Sequence, residues 1–466
     1  MTDNSVTDVS DDSPRVPERW RLGRALVPKS RYVDEAFLEL ELERLFPHVW
    51  LMACRSEEVE AAGAFVEFTV GNESVAIVRT SAGELKALSN SCRHRGTKLL
   101  VGRGRFPAIR CPFHAWCWDF DGSFKYRPDA DYFDEQDPRR LALPEYPVDE
   151  WGGFVFVSFD ESPPPLFEFL APLPDRLAGF RLEDMRYKWH KTFEVQANWK
   201  TAVDAFIEAY HVPGTHPQYL RGEFAPSTVG SVPEMELWPP SLTEDHGLHG
   251  RTRRPEPAPD EPPELAKRRS EATPRSLDLI RNNAKYHLSD LGALVTEWDV
   301  AAAEECAMLG IDEPELDQYQ RFVELRRRAA KRDGVDLPDL TRKQVHDGAY
   351  DWHIFPNTIL LVTGVVGSLL GYRVLPHASD PERCLFDVFG LQLVPSETKP
   401  DMAHERFNSW QEAGLGEVLS QDFGNLARVT AGMRTSAFEF LDLNLRQEMS
   451  IHRYHGVIDR FLFDER

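Results

Sequence analysis

Cysteine is scarce in this chain, and its scarcity limits the kind of fold that the sequence can encode. Six cysteines in 466 residues are too few for a disulfide-stapled scaffold. Long apolar runs are also missing. The longest, TILLVTGVVGSLLGY at 358–372, contains three glycines and falls short of the roughly 18–20 residues that a membrane span requires. The opening segment MTDNSVTDVSDDSPR has no apolar stretch of the kind found in signal peptides. We therefore expect a cytoplasmic protein without a membrane span.

Positive charge is in deficit as well. The chain has 54 Lys and Arg residues against 76 Asp and Glu residues, which gives a formal net charge of −22. Neither a nucleic acid nor an anionic membrane surface is expected as a partner of so acidic a protein. The sequence also lacks G-x-G-x-x-G or another nucleotide-binding motif. Any nicotinamide cofactor is therefore expected to bind a separate protein.

The length favours about two to four domains, and the texture of the sequence changes along the chain. Residues 1–17 are polar and acidic, which predicts a disordered tail. Over 40–165, short runs such as AFVEFTV, ESVAIVRT and GGFVFVSFD are separated by turn residues, which predicts a small all-β domain. Residues 18–39 and 166–466 are assigned to a larger domain of buried strands (350–395) and helices. The Pro- and charge-rich stretch 238–270 is expected to be an exposed insertion. The predicted fold class is α+β.

Two cysteine–histidine pairs lie on short loops of the predicted β domain, as Cys92-x-His94 and Cys111-x-x-His114. Zinc fingers place two cysteines in one knuckle and two histidines in another, whereas here each loop supplies one of each. This pattern suits a two-iron cluster in which the cysteines bind one iron and the histidines the other. A zinc site and a chance set of four buried side chains are the alternatives.

These loops resemble the Rieske [2Fe–2S] box. The sequences CRHRG and CPFHAW correspond to the usual C-x-H-R-G and C-P-x-H-G-W, with Ala115 in the place of the common glycine. The resemblance implies that Cys92, His94, Cys111 and His114 hold a Rieske cluster. A Rieske domain alone is an electron carrier. We therefore expect the residues outside this domain to form a second site that uses the electrons.

The stretch VDAFIEAYHVPGTH carries that second pattern. On a helix, Asp204, Glu208 and His211 would fall on one polar stripe of an otherwise apolar turn. Two carboxylates and an imidazole are costly to bury unless they bind something. The proline–glycine pair at 213–214 is expected to end the helix, so that His211 and His216 converge. Two histidines and one carboxylate form the facial triad of non-haem iron(II) oxygenases. Taken singly, the histidine could be a satisfied core residue and Glu208 a salt-bridged helix charge.

The segment NWK…DAFIEAYHxxxxH resembles the catalytic signature of alpha subunits of Rieske non-haem iron oxygenases, the aromatic ring-hydroxylating dioxygenase family. The resemblance implies a catalytic domain with an antiparallel sheet covered by helices, and a mononuclear Fe(II) bound by His211 and His216. It also implies that Glu208 forms an electron-transfer bridge to a Rieske histidine of a neighbouring subunit. Asp204 stands where glutamate is usual and would lie behind the ligands. Ala205 replaces the usual asparagine, which weakens any inference about substrate class.

The third iron ligand cannot be placed by spacing alone. The family has an aspartate some 200 residues downstream, and SQDFGNLARVTAGMRTS at 420–436 fits its context, so Asp422 is the predicted ligand. A charge at a helix start is the alternative reading of Asp422. Asp351, Asp387 and Asp401 are the other candidates.

The family resemblance implies a terminal oxygenase that uses O₂ and electrons from NAD(P)H, delivered by a separate reductase and in some systems by a ferredoxin. The expected reaction is hydroxylation of an aromatic or other apolar ring in a small organic substrate, as in aromatic hydrocarbon catabolism. The alternatives are oxidation or demethylation of a quaternary amine, a methoxy-aromatic compound or a steroid. A homotrimer is implied, with or without a small beta subunit. A non-catalytic Rieske electron-transfer protein is the alternative of another class.

Overall fold

The computed structural model describes residues 16–134, 137–216, 242–253, 290–309, 315–362, 366–395 and 404–464, with the single positions 218, 263, 264, 284 and 288. The predicted tail over 1–17 lies outside these residues except at its end. There Val16 is buried with Trp20 in the main apolar core, so the predicted disorder does not extend to Val16.

The strands and helices of the described chain are numbered in chain order. The strands are β1 (Leu26–Pro28), β2 (Leu51–Arg55), β3 (Ala64–Val70), β4 (Glu73–Arg79), β5 (Leu85–Ser89), β6 (Arg103–Arg105), β7 (Ile109–Arg110), β8 (Cys117–Trp118), β9 (Phe124–Tyr126), β10 (Glu145–Tyr146), β11 (Val148–Trp151), β12 (Phe154–Val157), β13 (Met185–Val195), β14 (Leu242–His246), β15 (His249–Arg253), β16 (Tyr350–Ile354), β17 (Thr358–Val362), β18 (Ser368–Pro376), β19 (Cys384–Leu393), β20 (His404–Arg406) and β21 (Phe440–Asp442). The helices are α1 (Ser30–Val33), α2 (Glu35–Arg44), α3 (Pro138–Leu141), α4 (Leu166–Phe169), α5 (Leu173–Leu177), α6 (Trp199–Asp204), α7 (Val212–Thr215), α8 (Glu297–Met308), α9 (Glu315–Arg332), α10 (Arg342–Gly348), α11 (Gly416–Met433) and α12 (Met449–Phe463).

The segment from β2 to β12 is built of small sheets, as the sequence predicts. A five-stranded sheet has the order β10-β5-β4-β3-β6, and two three-stranded sheets have the orders β11-β12-β2 and β7-β8-β9. The run AFVEFTV is β3, and the turn between it and β4 is made by Gly71 at φ +54°, a conformation that favours glycine. The strands β7 and β8 bracket the second Cys/His loop, so this small sheet fixes where that loop stands.

The larger part of the chain is organised around one eight-stranded sheet. Its order is β14-β15-β16-β17-β18-β19-β13-β20, and every neighbouring pair is antiparallel except β13 and β20. The strands β18 and β19 are almost continuously buried, as expected for strands covered on both faces. The helix α6 packs on β18, and α11 packs on β13. The predicted α+β class, with an antiparallel sheet covered by helices, is confirmed.

The expectation of an exposed insertion over 238–270 is wrong for residues 242–253, whereas the rest of the stretch, apart from positions 263 and 264, lies outside the described residues. Its residues 242–253 are not an exposed insertion but the hairpin β14–β15, which extends the main sheet through β16. The positions 249–252 are buried although they include charged and polar residues. The Arg251 guanidinium bonds Glu244 and the carbonyls of Ala349 and His346, which offsets the cost of burying its charge. Composition alone cannot reveal such compensation.

The two ends of the described chain meet. The strand β1 pairs with β21, and the buried guanidinium of Arg31 in α1 bonds Asp459 in α12. Within the described residues, no helix has both the length and the apolarity that crossing a membrane requires.

Candidate iron sites

The helix predicted to run up to the proline–glycine pair at 213–214 is interrupted earlier in the structure, and the interruption creates the site. The helix α6 ends at Asp204, a turn follows, and the proline at 213 lies inside the first turn of α7 rather than ending a helix. The Glu208 carboxylate accepts hydrogen bonds from the backbone N–H groups of Tyr210 and His211. A side chain that satisfies backbone donors in this way competes with helix formation.

This turn and α7 bring His211 and His216 to opposite ends of a short helix, facing Asp422 of α11. One ligand-capable atom from each of the three residues lies within 4.8 Å of the other two. The distance from His216 Nε2 to Asp422 Oδ1 is 2.9 Å, and that from His211 Nε2 to the same oxygen is 3.7 Å. Both imidazoles therefore turn Nε2 toward one carboxylate oxygen. This is a two-histidine, one-carboxylate set of the kind that binds non-haem iron.

The second nitrogen of each ring is also held. His211 Nδ1 lies 2.6 Å from Glu208 Oε1, and His216 Nδ1 lies 2.7 Å from Gln421 Oε1. In metal sites such contacts fix the tautomer and the orientation of the ring, leaving the other nitrogen free for the metal. Gln421 is in turn held by Gln218 at 2.8 Å. Sequence reasoning missed Gln421, and its only signal was its position next to Asp422.

Electrostatics around the ligands is dominated by carboxylates. Burial lowers the pKa of His211, but the charge and hydrogen bond of Glu208 outweigh it, so that the pKa lies above its ordinary value. Burial, together with Glu208, raises the pKa of Glu448. The site thus favours a cation over a second anion.

Asp204 does not contact the two histidines. It is buried, and its Oδ2 accepts a hydrogen bond of 2.7 Å from the Tyr32 hydroxyl, which is also 2.8 Å from His455 Nε2. Burial raises the pKa of Asp204 to about 8, against the opposing effects of Tyr32 and Lys200. Asp204 therefore joins α6 to the two ends of the chain.

Two of the other aspartate candidates, Asp351 and Asp387, are not part of this ligand set. Asp351 lies on β16, and Asp387 on β19 stands with a different pair of histidines. Asp401 lies outside the described residues.

The two Cys/His loops share one backbone design. The N–H of Gly96 bonds the Cys92 carbonyl at 2.9 Å, and the N–H of Ala115 bonds the Cys111 carbonyl at 3.1 Å. Gly96 has φ +76° and Ala115 has φ +60°, so both turns close through a left-handed residue. This explains why the family prefers glycine at the position of Ala115. Each loop places its cysteine inside and its histidine nearer the surface.

The side chains of these loops fit a Rieske cluster. The free thiols of Cys92 and Cys111 are buried and hydrogen-bonded to each other, and the His94 and His114 rings have centroids 4.8 Å apart. Nδ1 of His94 is buried and has no hydrogen-bond partner in the described part of the chain, as expected of an atom that would bind iron. Burial raises the pKa of the Cys111 thiol, but hydrogen bonds that include the backbone N–H groups of His114 and Phe113 outweigh it, so that the pKa is lowered. A low thiol pKa favours the thiolate that binds metal.

The fold and the two sites define a two-part iron protein, with a cluster-binding β region followed by a sheet-and-helix region that carries a mononuclear metal set. Comparison with known families supports this class. Residues 49–147 match the Rieske [2Fe-2S] domain, and residues 182–463 match the catalytic domain of the ring hydroxylating alpha subunit. The chain belongs to the family of ring-hydroxylating alpha subunits. The two matches imply a Rieske [2Fe–2S] cluster, a mononuclear iron and O₂ as co-substrate.

Individual relatives differ in what they act on. The chain is 32% identical over 203 residues to the glycine betaine monooxygenase oxygenase subunit of Chromohalobacter salexigens. This match covers 43% of this chain and 45% of that protein. It is 31% identical over 204 residues to the anthranilate 1,2-dioxygenase large subunit of Acinetobacter baylyi. This match covers 42% of this chain and 43% of that protein. The chain thus spans about half the length of the curated relatives it matches.

A solved structure gives the wider fold comparison. The quaternary ammonium Rieske monooxygenase in complex with L-carnitine has a TM-score of 0.62 at 16% identity, over 96% of this chain and 99% of that chain. At this identity the likeness establishes the fold.

Proposed function

We propose that this chain is the terminal oxygenase component of a multicomponent Rieske oxygenase. The observation that carries the proposal is the convergence of His211, His216 and Asp422 in a chain that also has the two Cys/His loops. An electron-transfer protein needs the loops alone. The preformed mononuclear set argues for an enzyme that delivers the electrons to O₂ and a substrate.

The residues of the mononuclear set prepare it for iron. His211, His216 and Asp422 would hold the ion, and a three-ligand set of this kind leaves positions for O₂ and solvent when iron is bound. Glu208 and Gln421 keep Nε2 of each imidazole aimed at Asp422 by bonding Nδ1. Because the rings are already oriented, little conformational entropy remains to be lost when the metal enters.

The two loops would hold the cluster through Cys92, His94, Cys111 and His114. The backbone N–H groups of Phe113 and His114 help to lower the pKa of the Cys111 thiol, whereas burial raises the pKa of Cys92 against the opposing N–H groups of His94 and Arg95. Electrons would come from NAD(P)H through a separate reductase, with or without a ferredoxin, since no nucleotide motif occurs in the sequence.

Transfer between the two sites would run between subunits of a homotrimer, with or without a small beta subunit. Glu208 already accepts from His211 Nδ1 and would also pair with His114 of the partner subunit. In a single chain His114 Nε2 is 2.9 Å from the guanidinium of Arg95, which is exposed. The cation of Arg95 would then meet the carboxylate of Glu208 in the same contact.

We also propose that the Rieske domain spans 40–165, and that the catalytic domain comprises 18–39 and 166–466.

For the substrate we propose a quaternary amine. This is one of the alternatives that the sequence allows, whereas the main expectation is an aromatic or other apolar ring. A glycine betaine relative is among the most similar proteins. The carboxylates of Glu208 and Glu448 near His211, together with the net charge of −22, suit a cation. An aromatic acid is the second candidate, on the strength of the anthranilate relative. Catabolism of aromatic hydrocarbons is not confirmed.

The test is O₂ and NADH consumption by the iron-loaded full chain with a surrogate reductase. The panel comprises glycine betaine, carnitine, choline, anthranilate, an uncharged arene and a steroid. We expect coupled consumption with a trimethylammonium compound, and coupling with anthranilate alone would favour the second candidate. Iron analysis provides the class-level test. A mononuclear iron in addition to the cluster irons supports an oxygenase, and cluster irons alone support an electron carrier. A cytoplasmic location is part of the proposal, since all six cysteines are free thiols.

A further inference from the structure

A second set of two imidazoles and one carboxylate lies on the main sheet. His190 is on β13, Asp387 on β19 and His404 on β20, and one ligand-capable atom of each lies within 4.8 Å of the other two. The register explains the grouping, because His190 stands opposite His404 and Thr192 stands opposite Asp387. Residues two apart on a strand point to the same face. The three side chains therefore converge from three adjacent strands.

Each member of this cluster is oriented by a neighbour. Arg373 bonds Oδ2 of Asp387 through Nε at 2.7 Å and through Nη2, which leaves Oδ1 turned toward His190 Nε2 at 3.4 Å. The Thr192 hydroxyl donates to the same Oδ1 and lies 2.7 Å from His404 Nε2. The carboxylate is thus ionised and fixed, with one oxygen facing the two imidazoles.

The two imidazoles of the cluster lie against each other, and the nitrogens of His190 have different surroundings. Nδ1 of His190 is buried and makes no hydrogen bond to any described group, although the residue is 4% exposed. Nε2 of the same ring is the atom turned toward Asp387, so Nε2 and not Nδ1 would face an ion shared with the carboxylate. The His190 and His404 rings are also in close contact, with centroids 4.2 Å apart. Two imidazoles held against each other beside a carboxylate is the arrangement that a shared cation would stabilise.

We propose that His190, Asp387 and His404 form a second metal site, which binds one divalent first-row transition ion of the Zn²⁺ class. Imidazole nitrogen with a single carboxylate suits zinc, whereas Ca²⁺ and Mg²⁺ require several oxygen ligands. The charge of Asp387 is already offset by Arg373, so the imidazoles must supply much of the affinity. The bond from Arg373 to the second carboxylate oxygen is of the kind that orients metal ligands.

The position of the site indicates a structural role. The strand β20 has only three residues and pairs with β13 as a parallel edge strand, so an ion would clamp it onto β13 and β19. Arg373 also donates to the carbonyls of Met52 and Ala53 in β2 and stands over the Phe68 ring of β3. The site therefore lies where the main sheet meets the strands that precede the Cys/His loops. It is independent of the proposed oxygenase function.

The test uses the full chain, loaded with its cluster, in a His211→Ala/His216→Ala background in which the proposed mononuclear site cannot hold an ion. Zn²⁺ is added, unbound metal is removed by desalting, and bound zinc is counted by elemental analysis. We expect one zinc per chain in this background, and its loss when His404→Gln is added. His346→Gln, at an exposed histidine, is the matched control and should keep the zinc. Co²⁺ in place of Zn²⁺ should give visible absorption that disappears with His404→Gln.

A thermal measurement separates metal loss from misfolding. His404→Gln keeps a group that can bond Thr192, so its melting temperature without zinc should match the parent. Zinc should raise the melting temperature of the parent and not that of His404→Gln, since only a chain with the site gains stability from the ion. Equal zinc content in parent and His404→Gln, or no retained zinc in the parent, would overturn the proposal. Neither result depends on oxygenase activity, so failure here leaves the proposed function untouched.

Discussion

Replacing Glu208 by glutamine changes one carboxylate oxygen to an amide nitrogen at a position where both oxygens are used. Oε1 faces the Nδ1 of His211 at 2.6 Å, and Oε2 accepts from the backbone N–H groups of His211, at 3.1 Å, and Tyr210. Glutamine has a single acceptor oxygen. Whichever way the amide turns, its NH₂ group must face either the imidazole N–H or two backbone N–H groups.

The cost can be estimated from this mismatch. Leaving a buried donor unsatisfied costs about 1–3 kcal/mol, and about 1.4 kcal/mol corresponds to a factor of ten. The ligating orientation of His211 should therefore be populated roughly 5–150-fold less. We expect coupled turnover of Glu208→Gln to fall at least that far, since the bridge to His114 of the partner subunit would lose its charge as well. The cluster should be unaffected, because its four ligands lie on other loops.

The assay compares cluster absorbance, total iron and NADH-driven product formation in three variants. Glu448→Gln is the comparison for charge alone, since the Glu448 carboxylate accepts from the backbone of Asn444 and acts on His211 only through space; it should lose only what that charge contributes, including to binding of a cationic substrate. Glu208→Asp keeps two acceptor oxygens and should recover part of the turnover. A Glu208→Gln protein with wild-type coupled turnover and normal iron would refute the reasoning. Equal losses in Glu208→Gln and Glu448→Gln would mean that only the local charge matters.

Three shorter predictions follow from other residues. Asp422→Asn should lose the mononuclear iron while cluster absorbance stays, as checked by iron analysis; retention of that iron would contradict the ligand assignment. Ala115→Gly should stabilise the cluster loop by about 0.5–1 kcal/mol, because a left-handed alanine costs about 1–2 kcal/mol and glycine loses about 0.4–1 kcal/mol through the unfolded state; an unchanged or lower melting temperature would exclude this. The pKa of Asp204 is about 8 in the folded protein and about 3.9 in the unfolded chain. Between these two pH values Asp204 keeps its proton only in the folded state. Stability should thus fall as pH rises from about 4 to about 8, and Asp204→Asn should flatten the dependence of melting temperature on pH.

The parts of the fold that the sequence predicts well are those in which one physical signal dominates. Alternating apolar residues give AFVEFTV as β3, and continuous apolar runs give β18 and β19, because a buried strand must be apolar on the faces it presents. The hairpin β14–β15 escapes prediction because Glu244 within it compensates only part of the buried Arg251 guanidinium, and the other partners are carbonyls about 100 residues away. No local pattern carries that information.

The candidate sites divide in the same way. The cysteine and histidine spacing is local, so the loops at 92–94 and 111–114 are found from the letters alone. The Asp422 assignment needs the family pattern, since Asp422 approaches His216 only after α11 packs beside α7. Gln421 and the His190–His404 pair have no motif at all. They come together through sheet register and helix packing, which a single sequence does not display.

The orientation of the imidazoles is the feature that depends most on the fold. At the mononuclear set Nε2 points toward the carboxylate and Nδ1 is bonded outward, whereas in the cluster loop Nδ1 of His94 points inward and is unpartnered. The difference follows from the backbone. The histidines at 211 and 216 flank a helical turn, from which the long reach of Nε2 is needed to meet Asp422 on another element. His94 lies in a tight turn closed at Gly96, close enough to a buried cysteine for the nearer nitrogen to serve. The same residue type would therefore present opposite nitrogens to a metal at the two sites, and the local backbone together with the side chains of Glu208 and Gln421 sets which one.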